Sequence, residues 1–506
     1  MPHEIDERFL ALPRAALADA ALQKARDLGV SHADFRLERI RSQGLSLRDG
    51  RLEGSHDGED VGFAVRVVHD GAWGFASGVD LTVEAVVAAA ETAVQVAKVS
   101  ARMNTERVEL ADEPVYRDAR WVSSYETNPF DVPEQEKVAL LAEYSQRLLG
   151  ASGVSHVTAG LSQVLEGKYY ADTAGSSITQ QRVRLAPSIS ALSVDASSGR
   201  FDTMGSLAPP AGRGWEYLTG TGWDWDSELS SLPSLLAEKM AAPSVEPGRY
   251  DLVIDPTNLW LTIHESVGHA TELDRALGYE ANYAGTSFAT PDKLGVLKYG
   301  SDVMNITGDR TVEHGLSTVG WDDEGVAGQS WDIVRKGTLV GYQLDRRMAS
   351  LLGSSLGVSR SNGCAYADSP GHVPIQRMAN VSLAPSSAEV STADLIAGVS
   401  RGIYVVGDKS WSIDMQRYNF QFTGERFFEI RDGRLAGQLR DVAYQSNTLD
   451  FWGSMEAVGG PSTWRLGGAF NCGKAQPGQV APVSHGCPSA LFRDISVLNT
   501  VQEGGR

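Results

Sequence analysis

From residue 33 to residue 78 the chain alternates apolar and polar positions in short runs, ADFRLERI, GLSLRDGRLEG, VGFAVRVV and AWGFASG, broken at Asp49-Gly50 and Asp70-Gly71. Period-two alternation interrupted by Asp-Gly predicts half-buried strands joined by tight hairpin turns, that is, an antiparallel meander. The period then changes. VEAVVAAAETAVQVAKV, residues 83 to 99, sets Glu84, Glu91 and Lys98 seven apart in an apolar segment. That spacing predicts a mostly buried helix with one narrow polar stripe, and the charges exclude a membrane span. A helix packed on the meander makes a small α+β unit.

Pro129 to Pro133 read as a linker into the helical stretch EQEKVALLAEYSQRLL, after which HVTAGLSQVLE, GSSITQQRVRLA and SISALSVDA return to a strand-like pattern. This predicts a second α+β region. Residues 206 to 247 are rich in Gly, Pro, Ser and Trp around one helix near 227 to 240. Beyond Pro247, SWDIVRKGTLVGYQLD and RFFEIRDGRLAGQLRDVAYQ each predict a hairpin with a Lys-Gly or Asp-Gly turn. The expected organisation is α+β: an N-terminal α+β domain (1–127), a middle α+β region with linker (128–247) and a large β-rich C-terminal domain (248–506) carrying one embedded helix.

Composition narrows the function classes. A chain of 506 residues, 42% hydrophobic and 22% charged, suits a folded protein of several domains. With 45 basic against 64 acidic residues, a formal charge of −19, most of its surface would repel nucleic acid and anionic membranes, so neither is expected as a partner. Cys364, Cys472 and Cys487 are an odd, sparse set, which argues against a disulfide framework and for a reducing, cytoplasmic setting. The N-terminal stretch is acidic where an export signal needs positive charge.

The embedded helix carries the chemistry. After the strand-like RYDLVID, Asp255 can cap and Pro256 suits the first helical position, and TNLWLTIHESVGHA continues at helical spacing. His264-Glu265 is followed by His269, an HExxxH with one residue more than the HExxH of zinc peptidases. On a regular helix residues five apart point about 140° apart, so both imidazoles can face one ion only if the helix is irregular. A π-type turn, or loosening at Gly268 just before the second histidine, would do this. Glu265 between them has the side chain to deprotonate a metal-activated water. A catalytic zinc needs a third protein ligand; Cys472, Cys487, His485, Glu272, Asp274 and Glu280 are candidates that spacing does not separate.

HESVGHATELD, WDDEGVAGQ (321 to 329), GTLVGYQLDRRMA (337 to 349) and NCGKAQPGQ (471 to 479), together with the N-terminal RDGRLEGSHDGEDVGFAVRVVHDGAWGFASG, resemble the TldD/PmbA family of bacterial and archaeal metallopeptidases. The resemblance covers nearly the whole chain. It implies zinc held by His264, His269 and Cys472, with Glu265 as general base. It also implies a TldD-type catalytic subunit that forms a heterodimer with a TldE/PmbA-type paralogue lacking HExxxH. The implied substrates are unfolded or extended peptides, which a β-rich domain can hold by strand addition. Two alternatives remain: specialised amide hydrolysis in natural-product or modified-peptide maturation, and a non-catalytic regulatory or binding module. Cys364 and Cys487 are then expected to be ordinary buried thiols and His485 a structural residue. The carboxylates of WDDEG fall to turns and hydrogen bonds, and residues 273 to 300 form a loop that lies over the cleft or packs on the surface.

Overall fold

Two long strands, His32–Arg48 and Arg51–His69, turn back on each other at Asp49-Gly50, and a third, Ala72–Gly78, follows Asp70-Gly71. Both turns put Asp and Gly at positive φ, the two-residue geometry that Asp-Gly supplies at low cost. The meander is therefore present as predicted, in a computed structural model that describes residues 4–503. Helix Val83–Ser100 packs on it through Val86, Ala89, Ala90, Ala93, Val94 and Ala97. The helix is less buried than expected: Val96 and Val99 are exposed beside the charged stripe.

The second set of strands does not build a separate layer. His156–Asp172 pairs along its full length with His32–Arg48, and Ser177–Asp195 continues outward, so strands from both sides of residue 127 share one seven-stranded sheet. Helices Glu134–Leu149 and Trp225–Ala241 close a second core against this sheet. His32–Arg48 is buried on both faces over its first half and alternates only over its second. The cause is the C-terminal region, whose Asp323 takes Lys168 at 2.7 Å and whose Glu324 takes Arg66 at 2.9 Å. Buried charges of this kind persist only when paired.

In the C-terminal region five strands pair in a closed circuit: Arg401–Ile413, Gly248–Ile254, Ala490–Asn499, Val442–Asn447 and Asn419–Arg431. The Lys336-Gly337 and Asp432-Gly433 hairpins form as predicted, again with both residues at positive φ. Helix Pro256–Ile263 leaves the end of Gly248–Ile254, capped by Asp255, whose carboxylate accepts from Thr257 N at 3.0 Å. Every described residue of this helix from Leu259 to Ile263 is buried, because the strand circuit lies on one side and the hairpin Arg465–Lys474/Gln479–Cys487 on another. No helix among the described residues is long and apolar enough to cross a membrane.

Candidate metal centre

The chain does not continue as α-helix past Ile263. Residues His264–Gly268 form a π turn, closed by the His269 N–H donating to His264 O, five residues back. A π turn brings residues five apart nearly into line, and the two imidazole centroids stand 4.6 Å apart. The carbonyls that such a turn leaves without regular partners are satisfied by side-chain donors, two of them from distant elements. Tyr299 Oη donates to Ser266 O at 2.5 Å, Thr271 Oγ1 to Val267 O at 2.8 Å, and Gln343 Nε2 to Gly268 O at 2.7 Å. Gly268 has an ordinary helical φ of −55°. A Cβ there would lie 2.4 Å from Met378 Sδ, so a side chain at 268 requires Met378 to move.

Cys472 enters from the strand Arg465–Lys474, at a register shift between Ala469 and Cys472. Its Sγ lies 3.6 Å from His269 Nε2. Donor atoms of His264, His269 and Cys472 all lie within 4.8 Å of one another, and this is the only such His, Cys or carboxylate group among the described residues. Zinc bonds of about 2.0 Å to nitrogen and 2.3 Å to sulfur, at a tetrahedral angle, separate those atoms by about 3.5 Å. The spacing therefore fits a zinc ion, and three protein donors leave a fourth position open.

The hydrogen bonds behind the ligands fix which ring nitrogen is free. His485 Nδ1 lies 2.8 Å from Val381 O, which can only accept, so Nδ1 carries the proton and Nε2 accepts. That Nε2 is 2.7 Å from His264 Nδ1, which must then donate, leaving His264 Nε2 with its lone pair. His269 Nδ1 donates to Glu272 Oε2 at 2.8 Å with the same result. Burial, with His269 and His485 alongside, holds His264 well below the usual imidazole range. Burial likewise pushes His269 down to about 3 and His485 to about 4. Neutral imidazoles are the form that binds metal. Burial raises the Cys472 thiol to about 11, so a cation is needed to bring out its thiolate at neutral pH.

Glu272 is itself held. Burial would raise its carboxyl, but Lys474, His269 and Arg275 keep it well below the usual range. Lys474, wholly buried, reaches Glu272 at 3.2 Å and Asp274 at 2.8 Å. The lysine of the NCGK segment, to which the sequence assigned no role, thus braces the carboxylate that orients His269. Glu265 is buried beside the ligands, its Oε2 2.6 Å from Arg417 Nη1. Burial holds its carboxyl above the usual range even so.

The remaining cysteines and carboxylates have other partners. Cys487 sits at the far end of the helix, its Sγ 3.6 Å from Pro256 O. Cys364 is buried beside Asn362. Asp274 is taken by Lys474, and Glu280 Oε2 accepts from Ala475 N at 3.3 Å. In WDDEG, Asp322 caps backbone N–H groups of Glu324, Val326 and Ala365. Of the loop 273 to 300, Thr286 N and Phe288 N bond to Met415 O and Gln416 O, which lays it against the turn that carries Arg417. Arg417, in the turn between Arg401–Ile413 and Asn419–Arg431, carries no local signal that would mark it as part of the site; His485, one of the candidate ligands, reaches it from strand Gln479–Cys487 and acts behind His264.

Three family models match: the PmbA/TldA metallopeptidase domain 1 over residues 33–97, its central domain over 127–242 and its C-terminal domain over 247–499. A Methanothermobacter thermautotrophicus protein named metalloprotease is 29% identical over 473 residues, 93% of this chain and 96% of its own length. A Saccharolobus solfataricus protein named zinc metalloprotease TldD homolog is 23% identical, covering 94% of this chain and 98% of its own. The crystal structure of TldE from Thermococcus kodakarensis superposes with a TM-score of 0.69 at 16% identity, over 95% of this chain and 99% of that one, a likeness of fold.

Proposed function

The chain belongs to the TldD/PmbA metallopeptidase family, and on that premise we propose that it is a zinc-dependent peptidase whose site is His264, His269 and Cys472 with Glu265. One observation carries the reading: donor atoms of His264, His269 and Cys472 lie within 4.8 Å of one another beside the buried Glu265, with Nδ1 of both histidines already engaged by His485 and Glu272. Bound there, zinc would supply the positive charge that acidifies water and polarises an amide carbonyl. His264 and His269 hold fixed tautomers through His485 and Glu272, so neither must reorient to present its lone pair. Glu265 takes a proton from the attacking water and passes it to the departing amine nitrogen. Burial of the whole set keeps bulk water from competing. Three donors with a place left open favour catalysis over a purely structural ion, which would be enclosed by four.

The inferred substrate is an extended or unfolded peptide, and the inferred partner a TldE/PmbA-type paralogue without HExxxH, both on the family resemblance. The three cysteines, all free and buried, accord with a reducing, cytoplasmic setting. Metal analysis should find about one zinc per chain. Glu265→Gln should keep that zinc while slowing cleavage of an unstructured peptide at least about 100-fold. Undiminished cleavage by Glu265→Gln would refute the general-base role, and a homodimer fully active without a paralogue would refute the partner.

A further inference from the structure

Arg417 stands in the turn between strands Arg401–Ile413 and Asn419–Arg431, at a φ of +62°. Left-handed backbone at a long side chain is uncommon and needs surrounding structure to impose it. Here Asp414 does so: it accepts from Gln416 N at 3.0 Å and Tyr418 N at 2.8 Å, while Thr448 Oγ1 donates to Arg417 O at 2.8 Å. The consequence is a guanidinium delivered to the metal centre, with Nη1 2.6 Å from Glu265 Oε2. Its remaining donors are poorly used. Nη2 has only a long 3.4 Å contact with Ala284 O, and Nε is buried with no hydrogen-bond partner. The guanidinium thus holds Glu265 through Nη1 alone, and Nη2, with only its long contact to Ala284 O, keeps a donor for another acceptor.

We propose that Arg417 is a further catalytic residue, which binds the carbonyl oxygen of the amide under attack and stabilises the negative charge that develops there. The proposal deepens the peptidase reading and rests on it. A general base must lie within one hydrogen bond of the attacking water, and the water attacks the carbonyl carbon. A cation one hydrogen bond from that base is therefore within reach of the carbonyl oxygen. In the reaction the water oxygen bonds to the carbonyl carbon, the C–N bond breaks, and a proton travels through Glu265 to the amine. Arg417 stays protonated throughout. Its ion pair with Glu265 in the free protein fixes the guanidinium before substrate arrives, the preorganisation that makes such donors effective.

The test compares two ligands on the zinc-loaded protein, alone or with whatever paralogue peptide cleavage requires. One is an alanine-flanked phosphinic peptide, a tetrahedral anion resembling the transition state. The other is the amide peptide of the same sequence, and both are measured in a Glu265→Gln background, where cleavage is slow enough for binding to be read. Arg417→Ala should weaken the phosphinic peptide about 100-fold and change the amide peptide less than about threefold. Arg417→Lys should recover part of the loss and guards against a folding defect in the alanine variant. Equal loss for both ligands, or no loss, overturns the proposal, as does faster cleavage by Arg417→Ala, which would make the residue a latch on Glu265. Zinc content separates the two readings: a wild-type chain that takes up no zinc sinks the metal site and this proposal together, whereas zinc retained with equal ligand loss sinks this proposal alone.

Discussion

His485 Nε2 lies 2.7 Å from Nδ1 of His264, and the Trp260 indole stacks on the His485 ring at an interplanar angle of 10°. The two histidines come from elements 221 residues apart, yet one sets the proton of the other. His485 thus acts through His264 as a positioning residue.

Replacing His485 by Ala should weaken zinc binding about 10- to 100-fold, read by competition with a chromogenic chelator. His485→Gln, whose side-chain oxygen can accept the same hydrogen bond, should restore much of it. Unchanged affinity in the alanine variant would show that the His264 tautomer does not depend on this contact.

Gly268→Ala should destabilise the protein by about 1–3 kcal/mol, since the new methyl meets Met378 in a packed interior. The same change in a Met378→Ala background should cost less, a coupling that a double-mutant cycle measures directly. Additive costs would mean that the π turn does not need the missing Cβ.

Glu272→Ala removes the carboxylate shared by His269, Arg275 and Lys474, leaving buried cations under-compensated. A loss of about 3–5 kcal/mol is expected, together with weaker zinc binding. Glu272→Gln should lose stability but keep more of the metal affinity than the alanine variant. If both variants bind zinc as wild type, His269 is oriented by something else.

Asp34 gives a pH signature. Burial alone would raise its carboxyl, but Arg66, bonded at 2.7 and 2.9 Å, and His32 bring it from 3.8 down to about 2. A depressed acid contributes stability that is present above its unfolded pKa near 4 and lost as pH falls through 2. The contribution is on the order of 2 kcal/mol. Denaturant unfolding of wild type should therefore lose stability between pH 4 and pH 2 more steeply than Asp34→Asn. Parallel pH profiles would show that the Asp34 carboxyl is not held below its unfolded value in the fold.

The sequence by itself determined the local structure: where strands turn, where the key helix begins and that its histidines demand an irregular turn. Asp-Gly and Lys-Gly pairs adopt their turn wherever they stand, and Asp255-Pro256 caps a helix from within its own first residues. Such effects act over a few residues, so they can be read in order along the chain. HExxxH and NCGK also marked out the ligand candidates, although spacing alone left six possible third donors. Only the tertiary structure decided that strands on both sides of residue 127 share a sheet, and that Lys474, His485 and Arg417 surround the histidines and Cys472, which spacing alone could not choose over Cys487. Pairing partners and buried hydrogen bonds depend on distance in space. Tyr299 and Gln343 stabilise the π turn from 33 and 75 residues away, and no local pattern in the chain records that they will meet it.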